Sequence, residues 1–175
     1  TSVLSTVMWG LTILYAGIFE GAWYSLDVIL LTTVMLIFYT FISSSIMIYV
    51  TTLLKSVNAF GVLSGILGTL VGFASGIYMP LVFLGEGVKT IASLIPFTHM
   101  TILLKNVLLE EPMAQLSLLV NNSETMELIS LNYGLNEIGI LNIEVPMFFI
   151  FIGIIVFSIT LLYLAFRNMT KKMNR

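Results

Sequence analysis

Residues 59–80 read AFGVLSGILGTLVGFASGIYMP. The stretch from Ala59 to Tyr78 carries no charge. At about 20 residues it is long enough to cross a ~30 Å hydrocarbon core as a helix. Gly61, Gly65, Gly68, Gly72 and Gly76 recur at steps of four, three, four and four, which places all five on one helical face. Lipid tails are as apolar as Leu, so helices associate in a membrane through close packing, and a glycine stripe permits close backbone approach. Three uses of the stripe stay open: packing against a neighbouring helix of the same chain, a subunit interface, or a smooth wall of a substrate pathway.

Three further stretches share this character. They are Ser2–Phe19, the core Val28–Val50 between Asp27 and Lys55, and Val145–Phe166. Composition agrees with them: of 175 residues, 58% are hydrophobic and only 9% charged. A soluble domain is roughly 45–50% apolar and about 25% charged. So few charges cannot solvate a globular surface, which excludes a free soluble enzyme, a disordered tail and a nucleic-acid-binding domain with its basic patch. The expected fold is an all-α polytopic membrane helix bundle forming a single transmembrane domain. With no Cys and one His, there is no disulfide framework, thiolate site or multi-His metal site. The chain opens at Thr1 directly on an apolar span, with no basic region or cleavage site before it. That span does not read as a signal peptide, and the expectation is a longer polypeptide whose N-terminal part is missing.

Residues 79–111 are apolar but interrupted by Pro80, Glu86, Gly87, Lys89, Pro96, His99 and Lys105. No run there is long enough to cross, so the spacing predicts two short re-entrant or interfacial helices, about Val88–Leu94 and His99–Leu109. Thr98 is the expected N-cap of the second. Residues 112–144 read as a polar, acidic extramembrane loop forming a small cap. Charge placement then orients the chain. Five of the seven basic residues, Lys55, Arg167, Lys171, Lys172 and Arg175, fall in the second-to-third connection or the tail. All nine acids, Glu20, Asp27, Glu86, Glu110, Glu111, Glu124, Glu127, Glu137 and Glu144, fall in the other two connections. The positive-inside rule therefore puts the Lys55 loop, both ends of the chain and the 167–175 tail in the cytoplasm. Trp23, Tyr24 and Tyr78 read as interfacial anchors. Asn121-Asn122-Ser123 matches an acceptor sequon that carries no meaning in a bacterial chain.

No Asp, Glu, Lys, Arg or His lies within the four spans, which argues against an ion-coupled carrier. There is no Gly-rich phosphate loop with a Lys, no paired-carboxylate arrangement and no Ser–His–Asp arrangement, so intrinsic catalysis is not expected. Hydroxyls in the second span, Thr40 and Ser44 among them, read either as interhelical glue or as the lining of a moderately polar route. Glu86, Lys89, His99 and Lys105 read either as a solvated headgroup-level face or as an exit gate.

The run Asn58–Pro112 resembles the permease subunits of the type-2 ABC exporter family. There a Gly-rich fifth span ends in a Pro and is followed by a short amphipathic stretch, a second Pro and another short helix. Here the matching features are Gly68, Gly72 and Gly76, then Pro80, then Pro96 followed by His99–Leu109. The last span and basic tail match the family's sixth span in placement. Ile95 before Pro96, and Phe97 and His99 after it, depart from the family's usual residues. The likeness covers about 120 residues at the level of layout and implies six spans, with this chain starting at the third. It also implies an exporter of two permease halves, this chain with a second copy or paralogue, and two cytoplasmic ATPase subunits. ATP and Mg would be held by those ATPases, and no cofactor by this chain. Carried over, the loop Thr51–Asn58, with Thr51, Thr52, Lys55 and Ser56, implies a contact with the ATPase. The glycine stripe implies a place near the dimer axis, and Pro80, Glu86, Pro96 and His99 an outer gate. The wall residues fit an amphipathic or hydrophobic cargo: a lipid, a peptide antibiotic or a drug. The competing reading is a non-transporting membrane scaffold or sensor whose external acidic cap binds a partner. The lack of Cys and the compact layout point to a bacterial plasma membrane.

Overall fold

The computed structural model describes residues 2–120, 122–136 and 145–173. Among these there are seven α-helices and no strand: α1 (Ser2–Phe19), α2 (Leu26–Leu53), α3 (Val57–Ala74), α4 (Glu86–Ser93), α5 (Pro96–Leu119), α6 (Ser123–Tyr133) and α7 (Met147–Met173). Four of them, α1, α2, α3 and α7, are long and apolar enough to cross a membrane, in keeping with a helical membrane bundle. Asn121, Glu137, Glu144 and Arg175 lie outside the described residues.

The chain forms two compact units, α1, α2 and α7 in one and α3 to α6 in the other. In the first, Gly21 takes a left-handed φ of 67° after α1, and Ser25 caps α2 by accepting from Val28 N. Thr40 Oγ1 lies 3.4 Å from Ser5 Oγ, and the Trp9 and Tyr24 rings meet at 5.8 Å. Met35, Phe38, Ile42, Ser45 and Thr52 on α2 follow a three-four spacing, as do Phe151, Ile154, Ser158, Ala165 and Asn168 on α7. That spacing gathers each set on one face. Phe38 stacks on Phe151 at 5.9 Å, and farther along Asn168 Nδ2 donates to Thr52 Oγ1 at 3.2 Å. The two helices therefore run in the same direction. Their outer faces expose large apolar side chains such as Leu30, Val34, Phe157 and Tyr163, the inverse of a water-soluble surface.

Several boundaries differ from those the sequence suggests. The second span continues as helix to Leu53 and α3 begins at Val57, so only residues 54–56 separate them and Thr51 and Thr52 belong to the last turn of α2. The third span stops at Ala74 rather than Tyr78, because Gly76 turns left-handed at φ 74° and Ile77 N and Tyr78 N both fold back onto Gly72 O. Thr98 is not an N-cap: Ile95 caps α5 and Pro96 opens it. Instead of ending at Leu109, α5 continues across Pro112 to Leu119. A proline ring removes one backbone bond and crowds one carbonyl, but Glu110, Glu111 and the residues after Pro112 keep helical propensity on both sides. The loop expected over 112–144 thus holds the end of α5 and the whole of α6. Asn122 starts α6 by accepting from Glu124 N at 2.9 Å, and Gly134 ends it at φ 66°. The tail is helical too, since α7 carries Arg167 and Lys171 in its final turns, where cations suit the helix C-terminus.

Candidate functional site

The polar chemistry of the second unit gathers where its helices break. After Pro80 a short 3-10 turn, Leu81–Phe83, leads to α4, and α4 meets α5 at a 90° bend. Leu81, Ala92 and Ile102 pack together there with Ala74 and Leu84. Every break leaves backbone carbonyls without an intrahelical donor. In a low-dielectric setting each such carbonyl must find another partner.

Three side chains of α5 meet that requirement. Thr98, fully buried, shares its one hydroxyl proton between Ala92 O at 2.7 Å and Ala74 O at 3.1 Å. It bolts the ends of α3 and α4 to the start of α5. His99, also buried, bonds Ser93 O at 2.8 Å through Nε2. A carbonyl can only accept, so Nε2 carries the proton. One turn and a half further on, Lys105 Nζ donates to Gly76 O at 2.8 Å and Tyr133 O at 3.2 Å. One ammonium therefore serves the C-terminal ends of α3 and α6 together, where helix dipoles favour a cation. Burial lowers the Lys105 pKa from its ordinary value. Beside it, Asn106 Nδ2 donates to Leu135 O at 3.1 Å.

The residues singled out from sequence divide into three groups. Pro80, Pro96, His99, Gly72 and Gly76 all lie at the break. A Cβ on Gly72 would enter the Tyr78 ring, and Gly76 needs its positive φ against Leu81. Glu86 lies apart from the buried network, exposed and paired with Lys89 at 2.8 Å. Among the described residues, nothing lies within 4 Å of a Cβ built on Gly61, Gly65 or Gly68. The glycine row is thus one stripe in sequence but two environments in structure. In the first unit, Thr40 donates to Leu36 O, Thr51 to Met47 O and Thr52 to Tyr49 O. Ser44 is half-buried, and Lys55 and Ser56 are exposed. Thr98 and Lys105 carry more than their sequence readings as a cap and a headgroup-level charge. Asn106 was not singled out at all. A lone Lys within the run ILLKNV was the available signal, because a cation flanked by Leu and Val needs a partner. Among the described residues, no group of three metal-ligating side chains comes together. No protein-family model, curated protein or solved structure matches the chain.

Proposed function

We propose that the chain is the membrane-spanning permease subunit of an ATP-binding-cassette exporter. Its cargo would be amphipathic or hydrophobic, such as a lipid, a peptide antibiotic or a drug. The observation that carries the reading is the order of breaks. A Gly-rich apolar helix ends at a left-handed Gly76, Pro80 follows, and α4 then bends by 90° into an α5 opened by Pro96. That is the layout by which the sequence resembles the family, and it supports re-entrant helices on the outer side, the last four spans of six, and an outer gate at Pro80, Pro96 and His99. The Asn168–Thr52 bond favours the proposed orientation, because it sets the Lys55 end of α2 beside the Arg167 end of α7. Basic residues then collect on one side, which the positive-inside rule makes cytoplasmic. Lys55, exposed between α2 and α3, would touch a cytoplasmic ATPase that supplies ATP and Mg.

Reconstitution tests the proposal. The full chain should retain an ATPase bearing a phosphate-binding loop through mild detergent, and Lys55→Glu should lower ATP-driven transport several-fold. A chain that purifies alone and moves no probe lipid or dye on ATP addition overturns the reading in favour of the scaffold or sensor. Replacing Gly61, Gly65 and Gly68 together by Leu separates the uses of the stripe. Among the described residues nothing lies within 4 Å of a Cβ added at these positions, so the chain's own stability should hold while the permease pair falls apart. Normal assembly and export by this triple variant would sink the interface.

A further inference from the structure

Beside the end of α6 lies an open trough of about 410 Å³. Asn106, Val107, Leu109, Glu110 and Met113 of α5 line it together with Leu135. The α5 positions recur at steps of three and four, so the trough follows one face of the helix rather than sinking into a closed cavity. Its volume falls within the roughly 300–1,000 Å³ of ligand sites. The walls are mostly apolar, Glu110 is exposed at the rim, and Asn106 Nδ2 is already committed to Leu135 O.

Glu110 is the one charged side chain among those that line it. Lys89 is paired with Glu86, and the Lys105 ammonium is turned onto Gly76 O and Tyr133 O. Glu110, Glu111, Glu124 and Glu127 have no ion-pair partner among the described residues. An apolar trough with an unpaired carboxylate at its rim complements a ligand that joins apolar surface to positive charge. Neutral apolar molecules leave the Glu110 carboxylate unanswered, and anions are repelled.

We propose that this trough binds a cationic amphipathic peptide, with an apolar side chain laid between Leu109, Met113 and Leu135 and a Lys or Arg held by Glu110. The open shape, running about two turns along α5 from Asn106 to Met113, favours an extended or helical chain segment over an enclosed small molecule. The inference goes beyond the exporter reading and does not depend on it, since binding requires neither ATP nor an ATPase.

The test uses the full chain in nanodiscs of phosphatidylcholine and a fluorescent amphipathic peptide of Leu and Lys, read by anisotropy. A Leu/Glu peptide and empty discs serve as controls. Saturable binding above empty discs is expected. The double variant Glu110→Gln/Glu111→Gln should weaken it about tenfold, as loss of a close charge pair does, while Glu124→Gln/Glu127→Gln changes it about twofold or less. Val107→Trp, which fills the trough with every charge intact, should also weaken binding about tenfold. Any of four results overturns the proposal. These are no binding above empty discs, an unchanged Glu110→Gln/Glu111→Gln affinity, or an equal loss from Glu124→Gln/Glu127→Gln, which would mean diffuse surface charge. The fourth is Glu110-dependent retention of a cationic aminoacyl lipid that the peptide cannot displace.

Discussion

The uninterrupted apolar helices and the broken segment from Ser75 to Asn136 use polar side chains in opposite ways. Along the long helices most hydroxyls bond within their own turn, as Thr12 does to Met8 O, Thr33 to Ile29 O, Thr69 to Gly65 O and Thr160 to Val156 O. Those carbonyls already have an amide donor, so the hydroxyl satisfies only itself. Thr40 to Ser5 Oγ and Asn168 to Thr52 Oγ1 are bonds between helices. In the broken segment the bonds cross the chain. Thr98 reaches back 24 residues to Ala74, and Lys105 reaches 29 back to Gly76 and 28 forward to Tyr133. Their acceptors sit at helix ends, where no amide serves them. The lesson concerns what a helix break requires. An unbroken span can be assembled from apolar surface alone, whereas each break makes one polar side chain structural.

That contrast ranks the consequences of removing polar groups. Lys105→Met should have the largest effect, about 3 kcal/mol of stability, because it leaves Gly76 O and Tyr133 O without a donor and takes a cation from two helix ends. Denaturation of the full chain in mild detergent measures it, and amide exchange should quicken at the ends of both α3 and α6. Lys105→Arg, which can still donate, should recover part of the loss. Exchange that quickens at α6 alone would break the idea of one ammonium serving both helices. Thr98→Val comes next at about 1.5 kcal/mol. The side chain keeps its shape, so the loss reports the shared proton and not the packing. Ala92 O also accepts from Ile95 N at 3.0 Å, so the carbonyl this change strands is that of Ala74. If a fully buried site tolerates the change without cost, Ala74 O has another partner and the comparison weakens.

The same division decides what the sequence reveals. The four apolar spans are legible because each is a local property of a continuous window, and so is the one-sided glycine row. The break is legible only as interruption. Pro112 reads as a stop, yet α5 passes through it, since one missing backbone bond does not outweigh good helix formers on either side. Thr98 reads as a cap because it directly precedes a helix expected to start at His99, but Pro96 opens the helix two residues earlier and leaves the hydroxyl to point across the bend. The partners of Lys105 are invisible in any window, being carbonyls nearly 30 residues away in both directions. Nor can spacing tell that Gly72 and Gly76 serve their own chain while Gly61, Gly65 and Gly68 stay uncovered.

The smallest expected effect is the sharpest check on the comparison. Thr33→Val and Thr160→Val each delete a hydroxyl bonded at 2.7 Å to a carbonyl four residues back, the same length as the Thr98 bond to Ala92 O. If distance alone set the energy, all three variants would lose equally. The acceptors at Ile29 and Val156 lie inside continuous helices and keep their amide donors, however, as Ala92 O keeps Ile95 N. Deletion at Thr33 or Thr160 therefore leaves nothing unpaired, whereas deletion at Thr98 strands Ala74 O. Removing both members of a hydrogen-bonding demand is close to neutral, whereas stranding one is not. Val also suits lipid at least as well as Thr, and its branching at Cβ keeps the side-chain rotamer unchanged. Both variants should therefore unfold within about 0.5 kcal/mol of the wild type in the same detergent. A loss at Thr33 as large as that at Thr98 would mean that intrahelical hydroxyl bonds stabilise the spans directly, and the distinction between continuous and broken helix would fall with it.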